Sequence, residues 1–248
     1  ADRHAGDNKE VEFINLSIAG KDSTNYTLTT AAIKTTANIS KASIEIKGND
    51  AGKGYGSSDP TFGYTLVSGE LFGSDEITIS RESGENVGDY AINQYLVTDG
   101  NGGNNYDVIF TPGKFTIGAK SAVITVGTTT VDYNGSIQDA TEYTVSGLES
   151  GHYVYSIDLE GARNAGTHTV TVESVVIYDA QGNDVTGNYG LSYESGKLII
   201  NQAEITINAT AETITYGENA AGAYTYSGTL YGSDEFTGSL AINGNMNS

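Results

Sequence analysis

The sequence predicts a mostly β protein: a tandem array of small β-sandwich-like or β-grasp-like modules of about 80 residues, with room for one short helix per module. Three observations predict it. Short alternating apolar and polar runs such as "SIEIK", "ITIS", "HTVTV" and "YTLTT" fill the chain, and alternation with period two is the signature of a half-buried strand. Turn pairs such as Asn101-Gly102 and Asn134-Gly135 stand between the runs and accept positive φ cheaply. The same anchors return at a period near 80 residues, which is how a repeat architecture shows itself.

Four anchors recur in one order. An opening strand of form A-x-[IV]-x-[IV] starts at Ala42, Ala122 and Ala203, spaced by 80 and 81 residues. A Tyr precedes a turn Gly at Tyr55, at Tyr133 (through Asn134) and at Tyr216. A small turn around Gly6, Gly88 and Gly166 leads into renewed strand. An Asn-Tyr pair opens a late strand at Tyr26, Tyr106 and Tyr189, and recurrence at one module position favours a core or corner role for these rings. The phrase "LFGSDE" from Leu71 also returns as "LYGSDE" from Leu230, with a diverged "LESG" from Leu148 between them. It is read as a turn or a short helix near Ser68–Asp75, with Leu71 and Leu230 inward and the acids outward.

These anchors divide the chain into 1–41, the second half of a module, then 42–119 and 120–202, two whole modules, then 203–248, the first half of another. The joints from Ile39 to Ala42, Ile117 to Ala122 and Ile200 to Ala203 contain no Gly/Ser tract and no Pro-rich spacer. Such joints leave little freedom. The two halves together have the length of one module. Two readings follow: an excerpt of a longer array, or a subunit whose halves complete those of the next copy head to tail, by strand complementation.

Charge narrows the partners. Lys plus Arg number 12 against 31 Asp plus Glu, a net charge of −19. That field repels polyanions, so nucleic acid is a poor partner, and so is an anionic membrane surface. The chain has no Cys, which removes disulfides, thiolate nucleophiles and sulfur-based zinc sites. No apolar run reaches the ~20 residues that span a bilayer, so no membrane insertion is expected.

Tyr55-Gly56 and Tyr216-Gly217 after an opening strand, "ENVGDYAI" from Glu85 and "DGNGGNNYDVIF" from Asp99, with the Leu71 and Leu230 phrases, resemble MBG-type repeats. "YNG" at Tyr133 and "AGDNKEVEFINLSIAGKDSTNYTL" from Ala5 resemble their YDG-type relatives. Segments 42–119 and 203–248 are thus similar to MBG-type units, and 1–41 and 120–202 to YDG-type units. Such repeats are found in very large bacterial surface proteins, including adhesins resembling filamentous haemagglutinin. The resemblance implies an extracellular or cell-surface stalk or adhesive role and carries no catalytic residues over.

Candidate chemistry is sparse. Asp99, Asn101, Asn104 and Asp107 bring oxygen ligands together at the close spacing a Ca²⁺ loop needs. Asp179, Asn183 and Asp184 form a similar set. The alternative is a Gly/Asn hairpin whose side chains cap their own backbone. His4, His152 and His168 are scattered and no paired-His metal motif exists. No GxSxG elbow is present. The expectation is therefore a non-enzymatic structural shaft or self-assembling surface filament, without cofactor unless Ca²⁺ binds. Its partner is itself, head to tail. The alternative is an adhesin module for carbohydrate or host protein, with 17 Tyr available for sugar stacking.

Overall fold

The computed structural model describes residues 2–29, 33–213, 215–217 and 222–238, and the chain forms two compact units, Ala1–Ala119 and Lys120–Ser248. The part of the last half-module at 239–248 lies outside the described residues.

In the first unit β1 (Gly6–Phe13) pairs antiparallel with β2 (Ile33–Ile39). Then follow β3 (Ala42–Gly48), β4 (Ala51–Gly54), β5 (Tyr64–Ser68), β6 (Glu76–Ser80), β7 (Gly88–Ile92), β8 (Gln94–Thr98), β9 (Tyr106–Thr111) and β10 (Gly113–Gly118). They make three small sheets with orders β5-β3-β9, β4-β10-β7 and β6-β8. The β3–β9 and β4–β10 pairs are parallel; the others are antiparallel. Alternation does what the sequence promises: β3 buries Ile44 and Ile46, and β10 buries Phe115 and Ile117. Ile77 and Ile79 of β6, Ile92 of β7, Val97 of β8 and Tyr106 of β9 join them in one core. Sheets therefore cover sheets.

The second unit repeats the plan. Its strands are β11 (Lys120–Val126), β12 (Thr128–Asp132), β13 (Gln138–Asp139), β14 (Tyr143–Ser146), β15 (Tyr153–Leu159), β16 (Gly161–Ala162), β17 (Gly166–Val170), β18 (Val172–Tyr178), β19 (Tyr189–Glu194) and β20 (Gly196–Asn201). Sheets β14-β11-β19 and β12-β20-β17 correspond to the two three-stranded sheets of the first unit, and β15–β18 to its ribbon. A short β13–β16 pair is added. The unit ends with β21 (Thr206–Thr210) against β22 (Ala223–Ser227).

Ladder register corrects one anchor. Ala42 lies opposite Tyr106, and Lys120, not Ala122, lies opposite Tyr189. The glycines after β5, β14 and β22 agree. A Cβ on Gly69 would strike the Ser43 carbonyl, on Gly147 that of Ser121, and on Gly228 that of Glu204. All three take positive φ, at 84°, 86° and 104°, so glycine is required there twice over. The opening positions are thus Ala42, Lys120 and Ala203. At the closing end Ile39, Ile117 and Ile200 lie opposite Gly6, Gly88 and Gly166. Each joint then has the same length in sequence.

The short helix expected near Ser68–Asp75 is a turn. Gly69 and Gly73 both hold left-handed φ, and the single i→i+3 bond, Asp75 N–H to the Phe72 carbonyl at 3.2 Å, propagates no further. Among the described residues the helical segments are two 3₁₀ turns, Ser23–Asn25 and Thr186–Asn188, placed just before Tyr26 and Tyr189.

Candidate functional site

Two of the three Asn-Tyr tyrosines, Tyr106 and Tyr189, are corner residues. Tyr106 is 4% exposed. Its hydroxyl accepts the Phe72 N–H at 2.8 Å and donates to Asp75 Oδ2 at 2.7 Å. Burial first, then the Asp75 carboxylate, pushes its pKa up, so it stays a donor. Tyr189 does the same in the second unit: its hydroxyl accepts the Glu149 N–H at 3.1 Å and meets His152 Nδ1 at 2.6 Å. Asp75 is thus half-buried and engaged rather than a solvated acid, while Leu71 packs on the core as expected. Tyr26, at the same module position, is 64% exposed.

The candidate calcium loops are held by their own backbone. Asp99 Oδ1 accepts the N–H groups of Asn101 and Gly103, both at 2.8 Å, and Oδ2 that of Asn105 at 2.9 Å. Burial would raise the Asp99 pKa, yet these three N–H groups outweigh it and hold the carboxyl below its usual range. Asn104 Nδ2 donates to the Asn101 carbonyl at 2.7 Å. Asp107 stands on β9, exposed, opposite Ser43. In the second loop Asp179 accepts the Asn183 side-chain and backbone N–H groups at 2.9 and 2.8 Å, and these lower its pKa. Asp184 turns away to the Thr186 hydroxyl at 2.7 Å. Among the described residues no three carboxylates or imidazoles gather as a cation cage. The histidines are also apart: His4 Nδ1 lies 3.1 Å from Asn105 Nδ2, and His168 Nε2 2.7 Å from the Asn164 carbonyl.

The turn tyrosines Tyr55 and Tyr133 close the two whole modules, while Tyr216 is 96% exposed. Tyr55 ends the β4 segment, packs on the core and donates its N–H to the Gly118 carbonyl at 2.9 Å, with Gly56 next at φ 80°. Tyr133 N–H likewise donates to the Asn201 carbonyl at 2.9 Å. The Tyr-Gly-Ser turn, the β4–β10 parallel pair and the Gly88 start of β7 form one constellation. Residues 44–116 match the MBG domain of the YGX type. The family model matches that segment, and the family points to a repeat of bacterial surface proteins. No curated protein and no solved structure matches the chain significantly.

The MBG domain also holds a cluster that the sequence repeat does not show. Arg81, with a 6% exposed side chain, donates to Asp59 at 2.7 Å and to Glu85 at 2.7 Å, and its guanidinium lies 4.6 Å from the Phe115 ring centre and 5.3 Å from that of Tyr90. Lys53 bridges the same two acids. Hydrogen bonds from Arg81, then Lys53, lower the Asp59 pKa to about 2. These residues lie far apart in sequence and meet through β4, the β6 end and the following loop. The fork and flat cation explain why Arg serves here.

A cleft recurs where one module hands over to the next. In the first unit it measures about 410 Å³ and is bounded by His4 and Ala5 on one side and by Phe72, Asp75, Asn105 and Tyr106 on the other. Ala5 N–H donates across it to Asn105 Oδ1 at 2.9 Å. In the second unit a cleft of about 480 Å³ is bounded by Asn164, Ala165, Ala203, Leu230, Tyr231 and Asp234. Tyr133 meets Tyr231 edge-on there, 5.4 Å between ring centres.

Proposed function

We propose that this chain is part of the load-bearing, non-catalytic shaft of a bacterial surface protein, an adhesin or filament at the cell surface. The observation that supports this is the direction of the strand pairs. The MBG domain begins with β3 and ends with β10, and these segments belong to the parallel pairs β3–β9 and β4–β10. Tension between its two ends slides those strands along their partners, so the ladder hydrogen bonds share the load instead of opening one by one. The short joints pass force directly from Ile39 to Ala42. The acidic surface keeps neighbouring shafts apart. Single-molecule force spectroscopy on the whole chain tests this reading: discrete high-force ruptures are expected, and Thr116→Pro, which removes a ladder N–H from β10, lowers the MBG rupture force. Unfolding at forces typical of unzipped hairpins would defeat it.

A second reading has one observation in its favour. Tyr155 stacks on Tyr178 with 4.2 Å between ring centres and is 60% exposed, beside half-exposed Tyr153. An exposed aromatic ribbon of this kind suits a sugar face. A glycan array with wild type and Tyr155→Ala tests it, sugar-dependent binding lost in the variant being the supporting result.

A further inference from the structure

We infer that the joint between residues 2–41 and the MBG domain is a pH-sensitive latch: protonation of His4 breaks its bond to Asn105 and frees the two segments to move against each other. The inference rests on the shaft reading above and adds regulation to one of its joints. Asn105 is the bolt. Its Oδ1 accepts the Ala5 N–H at 2.9 Å, across the joint, and an Asn101 Nδ2 hydrogen at 2.9 Å within its own loop. Its Nδ2 donates to the Asp99 carbonyl at 3.3 Å and lies 3.1 Å from His4 Nδ1. Its backbone N–H is held by Asp99 Oδ2 at 2.9 Å.

These contacts fix which way the amide points. A flip would set Nδ2 against two donors, Ala5 and Asn101, and Oδ1 against the Asp99 carbonyl. Nδ2 therefore faces His4, and an amide nitrogen donates without accepting. So His4 Nδ1 accepts, and the ring proton sits on Nε2. An imidazolium is a donor at both nitrogens, so a second ring proton sets N–H against N–H. The amide is held by three other bonds, and the imidazole is the group that leaves. Ala5 follows His4 in the chain, so the displaced ring pulls the Ala5 N–H off the bolt.

The charges around the ring favour that exit. The cleft beside it is bounded by Arg3 on its own segment and by Asp75 and Asp99 on the MBG side. Asp2 Oδ1 accepts the His4 backbone N–H at 3.2 Å and pairs with Lys9 at 2.6 Å. Three carboxylates thus attract an imidazolium away from Asn105, with Arg3 and Lys9 as the cations of the same segment. Imidazole is the side chain whose charge ordinarily changes between about pH 8 and pH 5, and the sequence places it at one joint. His4, Asn86 and Asn164 stand two residues before the equivalent glycines Gly6, Gly88 and Gly166. An amide has no charge to gain, so the first joint alone carries this sensor.

The chain has no Cys, so spin labels can be placed cleanly. Thr36→Cys on β2 with Thr111→Cys on β9, both exposed, reports the joint in the full-length chain. Glu76→Cys with Thr111→Cys is the control inside the MBG domain. Distance distributions from pulsed dipolar spectroscopy are compared at about pH 8 and about pH 5. The joint pair is expected to broaden in acid and to narrow again on return, while the control pair stays narrow. His4→Asn, which gives this joint the residue of the other two, is expected to stay narrow throughout, and Asn105→Ala to be broad throughout. In the unlabelled protein the Ala5 N–H resonance is expected to shift along the His4 ring titration. Broadening that persists in His4→Asn, a control pair that broadens with the joint pair, or a His4 titration that leaves the Ala5 N–H unmoved overturns the inference. The shaft reading is separable: high-force ruptures with a pH-independent joint leave it standing, and a pH-dependent joint with weak ruptures removes it alone.

Discussion

The Tyr106 hydroxyl donates to the Asp75 carboxylate at 2.7 Å while accepting the Phe72 N–H. This bond ties the start of a late strand to the turn that follows β5, closing the module from two directions. Tyr106→Phe strands a partly buried N–H and a carboxylate, and its expected cost is ~1–3 kcal/mol. Tyr189→Phe is expected to cost a similar amount through Glu149 and His152. Urea denaturation of the single variants checks both. In dilute solution Tyr26→Phe, at an exposed ring, is expected to stay within ~0.5 kcal/mol of wild type.

Three glycines bind the hairpin to the opening strand. Gly69→Ala and Gly147→Ala place a methyl against a backbone carbonyl at a φ that L-residues avoid. Gly73→Ala meets only the backbone term, since nothing lies within 4 Å of its Cβ position. Gly73→Ala is expected to cost ~1–2 kcal/mol, and Gly69→Ala distinctly more. Equal denaturation midpoints for these two variants would show that the carbonyl contact gives way freely.

Much of this was legible in the sequence, for definite reasons. Period-two alternation marked β3, β6, β11 and β17, and the Asn-Tyr recurrence marked Tyr106 and Tyr189 as corners. The same periodicity hid the register: sliding "AVITV" by two residues leaves every apolar residue on the same face, so Ala122 looked equivalent to Ala42. The glycines decide it, because Gly69, Gly147 and Gly228 each sit against the carbonyl one residue after the opening position, at Ser43, Ser121 and Glu204. The partner of the corner tyrosine escaped notice because it changes from Asp75 to His152. The Arg81 cluster escaped because Lys53, Asp59, Arg81 and Glu85 are joined only by the fold.

The Arg81 cluster gives a pH signature. The Asp59 pKa is lowered from 3.8 to about 2 in the folded protein. A depressed folded pKa means that its contribution is fully present above the unfolded value and is lost as pH falls through the folded one. Stability is therefore expected to decline between about pH 4 and pH 2 more steeply in wild type than in Arg81→Gln. Urea midpoints for both proteins across that window check the sign. Parallel curves would mean that the ion pair does not couple to folding.

Calcium supplies the last prediction. The Asp99 carboxylate already receives three N–H groups from its own loop, so a cation would have to displace them, and Asp179 is engaged in the same way by Gln181 and Asn183. Millimolar Ca²⁺ against chelator is expected to move the melting temperature modestly at most. Asp99→Asn is expected to destabilise the MBG domain even in chelator, because the amide accepts fewer of those bonds. Thermal unfolding of both proteins with and without Ca²⁺ separates the cases: a large Ca²⁺-dependent rise in wild type, lost in Asp99→Asn, would reassign the loop from a backbone cap to a metal site.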